Sequence, residues 1–518
     1  MLLKKILMAE ILLIVSFFPI FLNADTVDST STSPQFGMNG LVGTLMIDGI
    51  TYSQLRLMPE VSIWKFGVGL DLNILIDGDG NIRENDWDDT EDYVSKIYYI
   101  RYGHKGEPFY AKIGSFHRVK FANGLIMNNY TNMLLYPDYK QIGLEVDVTT
   151  PIYGLGVETF TSNIYRNEIL AGRIHAMPLS FLEIPILKDL EIGATIATDR
   201  NQYGGFDDND GDNYPDQFDG FPDDKTKWAD TDGDGIPDYD LDKDNNRIYI
   251  DSDADNDGLV DSSYAYQNYG NFIADSLDNL GLIDHNVNYK KYFSIDKKDD
   301  VLVYGADYRL PLITGKAFSL GHYAEIAKIQ DHSYGFIFPG FYSKFLIFDM
   351  NLEFRYYNPN FEPNYFDYLY DQQRSTISGD SIITKEETVI KNNKATGWYG
   401  AITSHIFNFV DLTIAYENMH GTDYEKGKSI YGTLVVQKTL VPKISVAEAH
   451  YSQRRVKKFT HRKTPNSVIT AKLGYNLSDT SILVANYKER YEDLNGDGRI
   501  AGEDETIKSF GFGIEFRF

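Results

Sequence analysis

The chain has 518 residues, a formal net charge of −26, 38 Tyr, 31 Phe and no cysteine. The absence of cysteine excludes disulfides, thiolate metal sites, a cysteine nucleophile and a cysteine-linked lipid anchor. The negative charge argues against a general nucleic-acid binder, which needs a basic face for phosphates.

The first element is MLLKKILMAEILLIVSFFPIFLNAD. Lys4 and Lys5 give a basic start, Ile11 to Leu22 an apolar stretch, and Asn23-Ala24 a small-residue cleavage site. Residues 1–24 therefore read as a secretory signal peptide cleaved after Ala24. No later segment approaches the ~20 apolar residues of a membrane-spanning helix.

Beyond this leader the chain alternates with a period of two. In FGVGLDLNI, Phe66, Val68, Leu70, Leu72 and Ile74 share one face, and Gly67, Gly69, Asp71 and Asn73 the other. IGLEVDV from Ile142, MNLEFRYY from Met350 and VITAKLGYN from Val468 repeat the scheme. This is the strand signal. Twenty such segments are marked, near 37–48, 50–58, 66–76, 94–103, 108–116, 141–149, 152–163, 168–178, 188–200, 300–310, 316–330, 334–345, 348–357, 395–406, 409–419, 428–440, 443–458, 466–476, 480–492 and 505–518. The first two and 443–458 alternate poorly. An insertion over 201–299 separates an N-terminal half, 25–200, from a C-terminal half, 300–518.

A soluble sandwich would bury the apolar face; a membrane barrel turns it to lipid and keeps the polar face in its lumen. The polar faces carry real charges, such as Asp71, Glu145, Glu353, Arg355 and Lys472, and several apolar faces end in Tyr. Connectors alternate between short (311–316, 439–443, 476–481) and long (77–95, 200–298, 358–394, 493–504). The last segment, SFGFGIEFRF, places Phe510, Phe512, Ile514, Phe516 and Phe518 on one face. It resembles the closing strand of Gram-negative outer-membrane barrels, whose terminal aromatic is read by the barrel assembly machinery. Segments at 59–89, 96–103, 124–137 and 354–371 also resemble a group of outer-membrane proteins, a likeness that bears on fold and location and assigns no substrate. The expectation is an all-β chain: a transmembrane antiparallel β-barrel of about 18–20 strands, exported to the outer membrane, in contact with lipid, carrying one long external loop.

That loop holds most of the charge. Between Asp207 and Asp261 stand 20 Asp and no Glu, against Lys225, Lys227, Lys243 and Arg247. DTDGDGIPD puts Asp230, Asp232 and Asp234 at positions 1, 3 and 5, Gly235 at 6 and Asp238 at 9. DADNDGLVD does the same with Asp253, Asp255, Asp257, Gly258 and Asp261. DNDGDNYPD gives Asp208, Asp210, Asp212 and Asp216, with Asn213 in place of the glycine. Calcium takes six to eight oxygens, and alternating Asp in a glycine-containing turn supplies them from a short stretch. The units resemble thrombospondin type 3 repeats, and the resemblance implies several structural calcium ions. DLNGDGRIAGED is a second match, to EF-hand loops of the dockerin type, with Asp493, Asn495 and Asp497 at 1, 3 and 5, the Arg499 carbonyl at 7 and Asp504 at 12. The acidic stretch from Asp77 is weaker, since Ile82 occupies position 6.

NFIADSLDNLGLI, 271–283, sets Phe272, Ile273, Leu277 and Leu280 on one helical face and reads as a packing helix. No nucleophile, metal-protease or phosphate-loop motif is present, and the ten histidines are scattered; the chain is not expected to be an enzyme. Two functions remain. One is a porin-like channel for small solutes, its mouth shaped by the calcium loop. The other is a calcium-dependent surface adhesin anchored by the barrel. The features that separate them are the courses of 262–298 and 358–394, into the lumen or away from it.

Overall fold

The computed structural model describes residues 34–517 except 48–49, 84–85, 88–89, 137–138, 207, 217, 242–245, 288, 291–292, 296–298, 379–380, 390–392, 407–408, 423–426, 437–442, 460–461, 479, 494–499 and 502–504. The expected signal peptide, 1–24, and Phe518 lie outside the described residues.

Period-two segments become strands, each hydrogen-bonded to the next. They are β1 (Gln35–Ile47), β2 (Ile50–Ile63), β3 (Phe66–Leu70 and Leu72–Ile76, interrupted at Asp71), β4 (Ile97–Tyr102), β5 (Phe109–Gly114), β6 (Gly143–Thr149), β7 (Gly156–Thr161), β8 (Ile169–Ala176), β9 (Glu191–Asp199) and β10 (Val301–Ile313). After them come β11 (Phe318–Ile329), β12 (Tyr334–Phe345), β13 (Phe348–Tyr357), β14 (Ala395–Ile406), β15 (Val410–His420), β16 (Lys428–Val436), β17 (Ile444–Val456), β18 (Ser467–Asn476), β19 (Ser481–Tyr491) and β20 (Thr506–Arg517). Every pair of neighbours is antiparallel, and β20 returns to β1 with Ile514 opposite Val42. The sheet is a closed barrel of 20 strands, with no free edge to template aggregation.

Its polarity is inverted. Val68 in β3, Leu352 in β13, Ile402 in β14, Ile414 in β15, Leu473 in β18 and Phe512 in β20 are exposed on the outside. Asp71, Glu145, Arg173, Asp307, Glu353 and Arg355 are buried on the inside. A water-soluble fold does the opposite. In a bilayer a closed barrel leaves no backbone group unpaired, so strands can cross where an open sheet cannot. Among the described residues no helix is long and apolar enough to cross.

Of the three poorly alternating segments, 443–458 has a local cause and the second runs longer than expected. β2 runs five residues past the expected 58, pairing Pro59 with Met38 near its end. β17 carries a register shift opposite Lys428–Ile430, and Arg455 stands there at φ 53°. A bulge of that kind swaps faces and breaks the two-residue pattern. At Asp71 the break in β3 serves a contact: its carboxylate takes Arg56 Nε at 2.6 Å and Lys140 Nζ at 3.2 Å.

Because strands alternate up and down, long connections collect at one end. The connections β3–β4, β5–β6, β9–β10, β13–β14 and β19–β20 all leave and re-enter the barrel there. Two of them turn inward. Phe121, Ile126, Met127 and Tyr130 of one and Phe361, Tyr365, Phe366 and Tyr370 of the other form the main apolar core, against the lumen wall. They join as an extended pair: Asn128 N–H donates to Phe366 O (3.0 Å) and Asn364 N–H to Leu125 O (2.7 Å). The protein's core therefore sits inside the barrel as a constriction.

Candidate functional site

The three nine-residue aspartate units adopt one local geometry. Position 6 is left-handed in each, with φ 78° at Asn213, 86° at Gly235 and 87° at Gly258. Glycine takes that conformation freely and Asn tolerates it, so Asn213 leaves the turn intact. The N–H of position 6 donates to the first aspartate in all three: Asn213 to Asp208 (3.0 Å), Gly235 to Asp230 (3.1 Å) and Gly258 to Asp253 (3.1 Å). The N–H of position 2 donates to the aspartate at position 9: Asn209 to Asp216 (2.9 Å), Thr231 to Asp238 (2.9 Å) and Ala254 to Asp261 (3.2 Å).

Curling the chain this way gathers charge. Asp208, Asp210 and Asp212 bring carboxylate oxygens within 4.8 Å of one another, as do Asp230, Asp232 and Asp234. In the third unit Asp253, Asp255 and Asp261 form one such triplet, and Asp255 and Asp257 form another with Asp284. Asp216 and Asp238 stand outside these triplets and close their loops instead. Three further acids, Asp219, Asp251 and Asp284, lie outside the nine-residue pattern. Asp219 is the twelfth residue from Asp208, a place that EF-hand loops give to an acid. No spacing rule points to Asp251 or Asp284, which the fold brings in from later in the chain.

The donor set fits a hard divalent cation. Asp210 Oδ2, Asp212 Oδ2, Asp219 Oδ2, Asp251 Oδ2 and Asp261 Oδ1 are shielded from solvent and accept no hydrogen bond among the described residues. Burial, joined by the neighbouring Asp210, Asp219 and Asp208, pushes the Asp212 carboxyl up to about 6. Burial, with Asp255, Asp253 and Asp251 beside it, pushes Asp261 up to about 6 as well. Crowded carboxylates without a cation hold protons because they cannot all be charged. All-oxygen donors with no nitrogen or sulfur select calcium or magnesium over transition metals.

The other two acidic loops differ. At Asp77 the carboxylate accepts from the N–H groups of Asp79 and Asn81, and among the described residues this stretch gathers no carboxylate triplet. Of the EF-hand-like residues Asp493 is described; Asn495, Asp497, Arg499 and Asp504 lie outside the described residues.

The insertion is joined to the constriction. Tyr203 and Phe293 pack with Ile377 and Ile382, and Phe206, Phe218 and Ile295 lie against them. Ile377 and Ile382 belong to a hairpin, Ser375–Ser378 with Ser381–Thr384, that continues directly from the inward 358–374 segment. Ile295 N–H donates to Asn213 O (2.8 Å), inside the first aspartate unit. Arg374, at the start of the hairpin, holds Asp199 on β9 through Nε (3.0 Å) and Nη2 (2.7 Å) and Glu168 through Nη1 (2.9 Å). Arg454 and Arg455 of β17 pair with Asp367 and Glu362 on the opposite side.

Residues 115–142, for which no sequence motif gives a role, thus form half the constriction. The Tyr-rich stretch 364–371 is its other half, with Tyr365, Phe366, Leu369 and Tyr370 fully buried. By contrast 262–283 folds on itself, as two helices, α1 (Ser262–Asn268) and α2 (Asn271–Asn279), around Ala265, Ala274 and Ile283. The expected packing face is only partly used: Leu277 packs inward, while Phe272 is 86% and Leu280 71% exposed.

Beside the constriction the lumen holds a cavity of about 500 Å³. Arg118 and Lys472 line it together with Glu448 and Glu515, and Tyr368 and Tyr431 flank the His450 ring at 4.8 and 4.9 Å. Elsewhere the wall charges neutralise one another, as where Arg173 meets Asp307 at 2.7 Å and Arg355 meets Glu417 at 2.8 Å.

A closed, inside-out, 20-strand antiparallel sheet with its long loops at one end defines an outer-membrane β-barrel, whose outer face contacts lipid. Solved outer-membrane proteins align along most of its length. OmpT, an outer membrane protein of Vibrio cholerae, aligns over 94% of this chain and 100% of its own at 6% identity, with a TM-score of 0.25. Pseudomonas aeruginosa OprD aligns over 96% and 99% at 8% identity, with a TM-score of 0.30. The copper transporter OprC aligns over 96% and 82% at 10% identity, with a TM-score of 0.33. No protein-family model matches the chain, and no curated protein matches it. The assignment to the class rests on the chain's own strand pairing and polarity.

Proposed function

We propose that the protein is a porin-like channel for small solutes, narrowed by two inward loops and steadied at its mouth by an insertion that folds on calcium. The observation that carries this reading is the apolar joint of Tyr203, Phe206, Phe218 and Phe293 with Ile377 and Ile382, which ties the aspartate-rich insertion to the hairpin continuing the constriction. The polar, charged lumen and its cavity supply a path for water and solutes. Mixed charge at the cavity suits solutes of either sign. Several calcium ions, held by the aspartate triplets, supply the folding energy that an acidic, core-poor segment lacks. Recognition of β20 by the barrel assembly machinery belongs to the same reading, supported by its alternating aromatics. The test is a planar-bilayer recording of the refolded mature protein in millimolar calcium. Stable unitary steps are expected. Silence from protein shown to be folded by heat-modifiable gel mobility would refute the channel.

One observation favours the second reading, a calcium-dependent surface adhesin. Phe272, Ile273 and Leu280 expose an apolar face on the α1–α2 pair. That face and the channel are compatible, and a silent but folded barrel would leave the adhesin reading standing.

A further inference from the structure

Counted as twelve-residue loops, the three aspartate units differ at their last place. The first ends on Asp219, an acid. The second, counted from Asp230, ends on Leu241, and the third, counted from Asp253, ends on Tyr264. Neither side chain offers a carboxylate, so two of the three loops lack the acid that closes a calcium sphere of this type. The fold delivers one to each from further along the chain. We propose that Asp251 and Asp284 are the closing ligands of the second and third calcium sites, and that they couple the sites to each other and to the helical pair. This assignment rests on the proposed calcium-folded insertion.

Asp284 is placed by a short parallel pairing, Val260 with Ile283 and Asp261 with Asp284, which brings the chain back after α2. Its carboxylate lies within 4.8 Å of those of Asp255 and Asp257. The same cluster region holds Asp261, only 1% exposed, with Oδ1 buried and accepting no hydrogen bond among the described residues. An unbonded carboxylate oxygen at that depth is a strong demand for a cation. Asp251 meets the same condition. It is 7% exposed, Oδ1 accepts the Asp253 N–H at 3.0 Å, and Oδ2 is buried with no such partner among the described residues. Its backbone N–H reaches Asp238 O, the closing residue of the second unit, at 3.4 Å.

The covalent order has two consequences. Asp251 stands two residues before Asp253, the first ligand of the third unit, so an ion in the second site fixes the entry to the third. Asp284 comes after α2, so an ion in the third site holds the helical pair, whose own buried contacts are few: Ala265, Ala274 and Ile283. Calcium should therefore bind the second and third sites cooperatively, and the third site should order α1 and α2.

The experiment is calcium titration of the full-length mature protein folded in detergent, with hydrogen exchange followed over 262–284. Asp251→Asn and Asp284→Asn are compared with Asp223→Asn, an exposed control. Each test variant is expected to weaken binding at one site by about tenfold or more, with Asp251→Asn also reducing cooperativity. Asp284→Asn alone is expected to speed exchange in α1 and α2 at saturating calcium. Asp251→Glu and Asp284→Glu keep the charge and should recover most of the affinity. Binding equal to that of the control variant would overturn the proposal and leave the calcium reading intact. A loss shared equally by the Asn and Glu variants would mark a packing role and also overturn it. No calcium binding by the unmodified protein would refute the calcium reading itself.

Discussion

Gly235 shows how one residue sets the geometry of a ligand loop. Its φ of 86° is left-handed, and a Cβ placed on it meets no atom within 4 Å. Gly235→Val therefore tests backbone conformation with no clash at its Cβ. A branched residue held there costs about 1–2 kcal/mol, which predicts a roughly 5–30-fold loss of calcium affinity at the second unit. A calcium titration unchanged from that of the unmodified protein would mean the turn is not needed for binding. The sequence shows these turns because Asp, Gly and Asn carry their conformational preferences with them. Asp251 and Asp284 are not legible in the same way. Their place depends on where strands and helices return, which no local spacing encodes.

Among elements, the strands were the most legible. Each of the twenty expected segments holds one, because alternation of lipid-facing and lumen-facing residues is imposed along every strand. The inward course of 115–142 was not legible. Its GLIMNNYTNMLLYP stretch has neither a two-residue nor a helical period, and its burial depends on Phe366, far away in sequence, pairing with Met127. The direction of 358–394 was open for the same reason. The Arg374 contacts make this inward course testable. Arg374 is the counter-charge of Asp199, which is fully buried, and of Glu168. Arg374→Ala leaves buried carboxylates uncompensated and should destabilise the inward hairpin by about 3–5 kcal/mol. Faster hydrogen exchange over 364–378 and a larger, noisier conductance are expected. Unchanged exchange and unchanged conductance would show that the constriction is held by its apolar core alone.

Over the whole molecule, the barrel's inverted polarity fixes its solvent. Leu352 lies near the middle of β13 and points outward, half-exposed. Leu352→Arg should lower barrel stability in lipid by about 2–4 kcal/mol if the position lies at mid-bilayer depth, measured by denaturant refolding into vesicles. No loss would contradict a lipid-facing outer wall. The proposed channel joins two halves of the architecture: an acidic insertion folded on calcium bears on a constriction inside the barrel. The decisive recording is single-channel conductance of the refolded protein, first in millimolar calcium and then in excess chelator. It is repeated on a variant with 207–261 replaced by a short Gly-Ser linker. Chelator is expected to change the conductance or gating of the full chain and to leave the linker variant unaffected. Identical full-chain traces in calcium and chelator would contradict the proposed coupling.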